Sequence, residues 1–253
     1  PLTHPNPSLF LSPKMRYNRE NTWVSCPKGG VSMTVLHYIH HAAFSLNDGK
    51  TTLLFDPYLE NNPEGLSSGD LKADYIFISH FHGDHVGEAY AIAKRTEALI
   101  ITTAEIANDA KAHGLNAHAM HIGGSHEFPF GKVKLTLAFH GSGIAGGHAC
   151  GFIVHFDGSV FYFAGDTGLF ADMELIGKRN AIDYAFLPIG DNFTMGPDDA
   201  AYAAGLLKAK TVIPIHYNTW PLIDQDPEEF KNVVEKETSS KVLIVPCGTR
   251  VDL

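Results

Sequence analysis

The sequence predicts an α/β fold organised as one main domain, and three observations carry that prediction. From about Val31 onward, short apolar runs rich in β-branched and aromatic residues alternate with segments bearing helix start and stop signals. No repeat of fixed period and no long linker interrupts this alternation. With 253 residues, 44% hydrophobic and 19% charged, the chain has an ordinary globular composition and enough length to bury a substantial core.

Taken in order, residues 1–32 stand apart. The opening "PLTHPNPSLFLSPKMRYNRE" is rich in Pro, Ser and Asn and carries Lys14, Arg16 and Arg19 against the single acid Glu20. It reads as an extended N-terminal arm without helix or strand periodicity. A remnant of an organellar targeting segment is the other reading, although the Arg-rich amphipathic pattern of such segments is missing. Residues 33–253 then form the domain. Its expected strands are "MTVLHYI", "TTLLF", "DYIFI", "ALIIT", "KVKLTLAF", "GFIVHF", "SVFYFA", "DYAFL", "TVIPI" and "KVLIV". In "KVKLTLAF" the alternation puts Val133, Leu135, Leu137 and Phe139 on one face.

About five helices fall between these strands. One begins at "HVGEAYAIAKR", after Gly83 lets the chain turn. "AEIANDAKAHG" closes on Gly114, a residue suited to the left-handed stop of a helix. "GPDDAAYAAGLLK" opens with Pro197 and two acids, which suit a helix N-terminus. "DPEEFKNVVEK" repeats the device, with Asp226 as cap and Pro227 in the first helical position.

The composition narrows the function classes. A formal net charge of −9 opposes general nucleic-acid binding, which needs clustered Lys and Arg against phosphates. Cys26, Cys150 and Cys247 are scattered and form no C-x-x-C pair, as expected of reduced thiols in the cytoplasm. No apolar run approaches the ~20 residues of a membrane helix, so no membrane partner is expected. The 15 histidines are the one oddity, and histidine is the commonest metal ligand.

Ligand-type residues follow directly after four of the predicted strands. "YIFIS" runs into His80, "KLTLAF" into His140, "VFYFAG" into Asp166 and "TVIPI" into His216. Sites in α/β sheets lie beyond the carboxyl ends of strands, and rigid supports can hold a metal geometry that one loop could not. The stretch "YIFISHFHGDHVG" adds His82, Asp84 and His85. His80 and His82, two apart in an extended segment, point to the same side and with His140 make a three-imidazole site. Asp84 and His85, with His216, make a second, and Asp166 has oxygens to bridge the two. Ions in such pairs stand roughly 3.5–4 Å apart. Singly, each residue has a plainer reading: Asp84 as a helix N-cap, Asp166 as a turn aspartate, His140 and His216 as hydrogen-bonded histidines. The H-x-H-x-D-H spacing tells against all of them at once.

"SHFHGDHVG", followed in order by His140, Asp166 and His216, resembles the metallo-β-lactamase fold superfamily, over nearly everything from Met33 to the end. Within it the chain looks like the small bacterial and archaeal metal-dependent hydrolases related to the ascorbate-6-phosphate lactonases. "LLFDPYL", "AGDTGLFADMELIG", "LPIGDNFTMGPDDAA" and "HYNTWPLIDQDPEEF" carry that likeness. The resemblance implies a four-layer αββα sandwich with the metals on one rim, and it makes Asp56 an orienting partner of the histidine motif; an Asp-Pro turn is the alternative for Asp56. The group's usual Gly-His-Ser-Ala-Phe reads here His40-His41-Ala42-Ala43-Phe44, so His41 matches in altered surroundings. Asp191 stands where the group has glycine.

The expected function is a dinuclear metal-dependent hydrolase in which a hydroxide bridging the ions attacks a small ester, lactone or phosphodiester. Metal binding brings the pKa of water from 15.7 to about 7. Asp84 and His41 are the candidate catalytic residues. Imidazole and carboxylate donors without thiolate suit zinc first and manganese second. The alternative is a non-hydrolytic member of the fold, either a diiron redox protein or a vestigial metal binder. Flavodiiron relatives carry Glu where this chain has His82. Loops beside the ligands supply Asn192, Thr194, Met195 and Asn218 as candidate substrate-binding residues, with Phe193 and Trp220 near them. A small-molecule substrate and a homo-oligomer are the expected partners.

Overall fold

The structure, a computed structural model, describes residues 34–253 together with two short strands, β1 (Arg16–Tyr17) and β2 (Trp23–Val24). The chain divides into two units, Pro1–Val31 and Ser32–Leu253. Within the first, β1 and β2 pair antiparallel, Arg16 opposite Val24. The rest of the expected arm lies outside the described residues.

In the second unit the strands before residue 121 build one sheet: β3 (Val35–His40), β4 (Ala43–Asn47), β5 (Thr52–Phe55), β6 (Tyr75–Phe77), β7 (Leu99–Thr103) and β8 (Ala117–Met120). The strands after it build another: β9 (Ser125–Phe128), β10 (Gly131–Leu137), β11 (Cys150–Phe156), β12 (Ser159–Phe163), β13 (Tyr184–Pro188), β14 (Thr211–Ile215) and β15 (Lys241–Val242). The last strand, β16 (Thr249–Asp252), returns to pair antiparallel with β3. The sheet orders are therefore β16-β3-β4-β5-β6-β7-β8 and β15-β14-β13-β12-β11-β10-β9. Each sheet changes from antiparallel to parallel partway across, at β5 and at β12.

Three apolar clusters make four layers. Phe44, Phe55 and Phe77 of the first sheet meet Phe152, Phe163 and Phe186 of the second in the central core. Aromatic rings stack through it, Phe44 on Phe55 at 4.4 Å and on Phe186 at 4.0 Å between centroids. Outside the first sheet lie α1 (Gly83–Val86), α2 (Ala89–Thr96) and α3 (Ala104–Ala112), where Ile92 and Ile106 pack on Ile76 and Ile100. Outside the second lie α4 (Met173–Arg179), α5 (Pro197–Leu207) and α6 (Pro227–Glu237), which cover Ile153, Tyr162 and Val212. This is the αββα arrangement.

The expected caps form: the Asp226 carboxylate accepts from the Glu228 amide at 2.8 Å, Pro227 opens α6, and Gly114 follows α3 at φ +76°. Other expectations need correction. The helix expected from His85 to Arg95 is broken at Gly87, whose φ is +38° and where a Cβ would lie 2.5 Å from the Pro57 carbonyl oxygen. Strands β1, β2, β4, β8, β9 and β16 and helix α4 are additions, the first two within the arm expected to hold no strand. The supposed apolar face of "KVKLTLAF" holds at Val133 and Leu135 but leaves the core beyond them, with Leu137 37% and Phe139 69% exposed at the rim.

Candidate metal centre

The rim where both sheets end is tied across before any metal is considered. The Cys150 amide donates to the Ser79 carbonyl at 3.0 Å and the Phe81 amide to the Ser142 carbonyl at 2.7 Å, so the histidine motif is stitched to the opposite sheet. After β6 the chain passes Ile78 and Ser79 to His80, stays extended through His82 and then enters the single turn α1. His82, not Asp84, occupies the N-cap position, so Asp84 stands inside the first turn with His85 beside it. The capping reading of Asp84 therefore fails.

The seven residues expected to come together do so. His80, His82 and His140 each offer a ring nitrogen within 4.8 Å of the others, and Asp84, His85 and His216 form a second such group, which His41 joins. Asp166 lies between the groups. Its Oδ2 is 3.1 Å from His216 Nε2, 3.2 Å from His85 Nε2, 3.6 Å from His140 Nε2 and 4.0 Å from His80 Nε2.

Three of these rings are oriented from behind. Asp56, fully buried at the end of β5 with φ +35°, accepts from the Ser79 amide at 2.8 Å, from the Ser79 hydroxyl at 2.5 Å and from His85 Nδ1 at 2.7 Å. The Ser79 hydroxyl gives its proton to Asp56, so at 3.0 Å it can only accept from His80 Nδ1. His41 Nδ1 lies 2.8 Å from the Thr219 hydroxyl. In each ring Nδ1 is engaged and Nε2 faces the cluster, the pattern of metal-binding imidazoles with an outer hydrogen-bond partner. Asp56 is thus more than a turn residue.

The electrostatics tests whether cations belong here. The Nε2 atoms of His41, His80, His85 and His216, and Asp166 Oδ1, are buried without a hydrogen-bond partner. An orphaned buried polar group costs about 1–3 kcal/mol, and several in one place need a shared partner that the protein does not supply. Burial pushes the His80 and His140 pKa down and that of His41 to about 3, which keeps the rings neutral and able to donate lone pairs. Burial pulls His85 in the same direction, but the carboxylates of Asp166 and Asp56 at its two nitrogens raise it well above the usual range. Burial raises Asp166, yet His216 and His85 outweigh it and hold that carboxyl well below the ordinary range. Burial likewise works against ionised Asp84, and the His41 and His85 imidazoles overcome it. Neutral rings at His41, His80 and His140 bring lone pairs, and Asp84 and Asp166 bring ionised carboxylates, to one place, a donor set that divalent cations satisfy.

The remaining candidates separate. His41 is buried at φ +56°, with Trp220 4.9 Å and Tyr58 5.6 Å from its ring, and its Nε2 faces Asp84 at 3.4 Å. Asn192 and Asp191 are exposed at φ +47° and +61°. Asp191 thus holds the left-handed conformation that glycine adopts freely. Thr194 is half-buried and its hydroxyl bonds the Met195 carbonyl. Met195 is 1% exposed and packs with α5 residues in the outer core, so its side chain lines no open cleft. Asn218 faces a hollow of ≈ 670 Å³ with Asp224, Gln225, Asp226 and Pro227, where its Oδ1 already accepts the Gln225 amide at 2.7 Å. A cleft of ≈ 360 Å³ opens directly on the centre at His140, walled by Leu137, Ala138, Phe139 and His148. Sequence reasoning passed over Ser79, Thr219 and this wall. Ser79 could have been noticed as the residue next to the motif; Thr219 lies 178 positions from its partner, beyond any local signal.

Likeness to known proteins assigns the family and the fold. The Beta-lactamase superfamily domain matches residues 51–217. The chain is similar to a UPF0173 metal-dependent hydrolase of Natranaerobius thermophilus, 49% identical over 86% of this chain and 99% of the relative. A UPF0173 metal-dependent hydrolase of Pelotomaculum thermopropionicum is also 49% identical, over 85% of this chain and 98% of the relative. Among solved structures, Igni18, a metallo hydrolase from the archaeon Ignicoccus hospitalis, superposes with a TM-score of 0.80 at 35% identity, covering 87% of this chain and 98% of that one.

Proposed function

The chain belongs to the beta-lactamase superfamily and, within it, to the UPF0173 metal-dependent hydrolases, and from that premise we propose that it hydrolyses a small ester, lactone or phosphodiester at a two-cation centre. The observation that carries the reading is the convergence of unpartnered Nε2 atoms and an ionised carboxylate at one rim. His80, His82 and His140 would hold one cation, Asp84, His85 and His216 the other, with Asp166 shared. Bound divalent ions supply Lewis acidity toward the substrate oxygen and make water acidic enough to act near neutral pH. Zinc suits the imidazole-rich set first and manganese second.

The protein's own groups do the rest. Asp56 and Ser79 hold the His85 and His80 rings in register. Asp84, 28% exposed and ionised, is placed to accept a proton from the attacking water at the carboxylate oxygen that it does not turn toward His41 and His85. Phe139 and Leu137 offer an apolar wall beside His140, which favours a substrate with an apolar acyl or alkyl portion. Among the described residues lining that cleft there is no Lys or Arg to meet a phosphate, so an ester or lactone ranks ahead of a phosphodiester. Asn192 and Thr194 complete the proposed substrate contacts.

Among the described residues no helix is long and apolar enough to cross a membrane, and the free thiols Cys150 and Cys247 suit a reducing cytoplasm. A homo-oligomer completes the reading, and light scattering tests it. The deciding experiment strips the protein with a chelator, assays a panel of esters, lactones and phosphodiesters, and adds back zinc or manganese. Activity should vanish and return. Full turnover by the metal-free protein would refute the proposal.

A further inference from the structure

His41 is not needed for either three-residue group, yet it is built into the second one. It sits in the turn between β3 and β4, and its backbone is held in the left-handed region at φ +56°. Its carbonyl is clamped from two sides, by the Tyr38 hydroxyl and the His216 amide, each at 2.8 Å. The ring is wedged between His216 at 3.9 Å and Trp220 at 4.9 Å and has no exposed surface. A strained backbone kept in place by so many contacts has a job that depends on the side chain's position.

The ring nitrogens say which job. Nε2 is buried without a hydrogen-bond partner. Its neighbour, Asp84 Oδ2, is 3.4 Å away, longer than the roughly 2.7–3.2 Å of an N–H···O bond. Two donors on one tetrahedral zinc, each at about 2.0–2.1 Å, stand about 3.4 Å apart, so the spacing suits ligands of a common ion better than a hydrogen-bonded pair. The donor atoms of His41, Asp84, His85 and His216 all lie within 4.8 Å of one another. Thr219, 2.8 Å from Nδ1, can accept that nitrogen's proton and so leave the Nε2 lone pair facing the group.

We propose that His41 is a fourth protein donor to the cation held by Asp84, His85 and His216, with Thr219 selecting the tautomer that frees its Nε2. The proposal rests on the two-cation reading of the centre. It makes the two positions unequal: the second has an extra imidazole and the stronger hold, while the first, with three imidazoles, stays open toward the ≈ 360 Å³ cleft.

The test is metal binding, independent of turnover. Metal-free full-length protein is titrated with zinc by calorimetry and with cobalt by visible absorption, for the wild type and for His41→Gln, Thr219→Val and Thr219→Ser. The wild type should take up two equivalents, and His41→Gln should weaken one of them at least a hundredfold and alter the cobalt bands of that equivalent alone. Thr219→Val should weaken the same equivalent about tenfold or more, with Thr219→Ser restoring it. Wild-type affinities and spectra in His41→Gln would overturn the assignment, as would equal loss of both equivalents, which marks a structural role. Should His41→Gln fail to fold, the valine and serine pair at 219 decides alone: unchanged binding in Thr219→Val overturns the proposal. A wild type that binds fewer than two equivalents instead brings down the two-cation reading itself.

Discussion

At Asp56, three hydrogen bonds converge on one buried carboxylate, and two of the partners continue into the metal centre. Burial raises its pKa, against the pull of His85 and Ser79. Asp56→Asn keeps the shape but puts an NH2 where one carboxylate oxygen was. Whichever way the amide turns, at least one of the three donors from Ser79 and His85 meets another donor: the Ser79 amide in one orientation, the Ser79 hydroxyl and His85 Nδ1 in the other. We expect the affinity for the second cation to fall about 10–100-fold. Unfolding of the metal-free protein in urea should show a loss of about 1–3 kcal/mol. A variant with wild-type metal affinity would reduce Asp56 to a turn residue. The sequence made the H-x-H-x-D-H run and the strand-end residues His140, Asp166 and His216 legible because they are close in sequence or follow apolar strands. Thr219 beneath His41 was illegible, since its meaning depends on a contact between distant loops. Met195 misled because a loop position near ligands says nothing about which way a side chain turns.

Among the elements, periodicity revealed what was apolar and missed what lay at the edges. β8 (AHAM) and β9 (SHEF) end their sheets with a single buried residue each, so they lack the β-branched signal of buried strands. β16 has none, and its place is secured by side chains instead. Arg250 on β16 donates to His37 Nδ1 on β3 at 3.2 Å, and His37 Nε2 bonds Glu64 at 2.5 Å. Because the guanidinium fills the acceptor nitrogen, a second proton on this ring would break the bond. Burial is the larger cause holding the His37 pKa below 6.5, with Arg250 adding to it and Glu64 opposing. The folded state therefore binds fewer protons than the unfolded chain below pH 6.5. Stability should be untouched above that pH, fall as pH drops through it, and stop falling once pH is below the folded pKa. Urea midpoints at pH 7.5 and 5.5 check this by comparing the wild type with His37→Gln. The wild type should lose more on acidification. Parallel losses would mean that the pin between β3, β16 and the loop at Glu64 does not titrate as described.

At the scale of the whole molecule, each of the two proposed cation groups draws on both sheets. His80 and His82 follow β6 of the first sheet while His140 follows β10 of the second; Asp84 and His85 belong with the first and His216 with the second. The α/β class was legible from alternating strands and helices and the four layers only through the family resemblance, but this division of labour was legible from neither, because it depends on which sheet each strand joins. An ion in either group would therefore brace the halves of the sandwich and would bind only when both sheets are in place. The unfolded chain offers at most the local H-x-H-x-D-H run. By linkage, an ion present at 100 times its dissociation constant adds about 2.7 kcal/mol to stability. For a domain of this size each kcal/mol moves the unfolding midpoint roughly 2–4 °C. Chelation should thus lower the midpoint by about 5–11 °C for each ion lost. Adding zinc back should restore it, with a dependence on free zinc that continues past saturation of the folded sites. Ions that merely adsorb to surface histidines bind the unfolded chain about as well and leave the midpoint where it was. A scan of chelated, one-equivalent and two-equivalent protein separates the cases: two successive rises mark two braces, one rise marks a single ion, and none would mean that no cation joins the sheets.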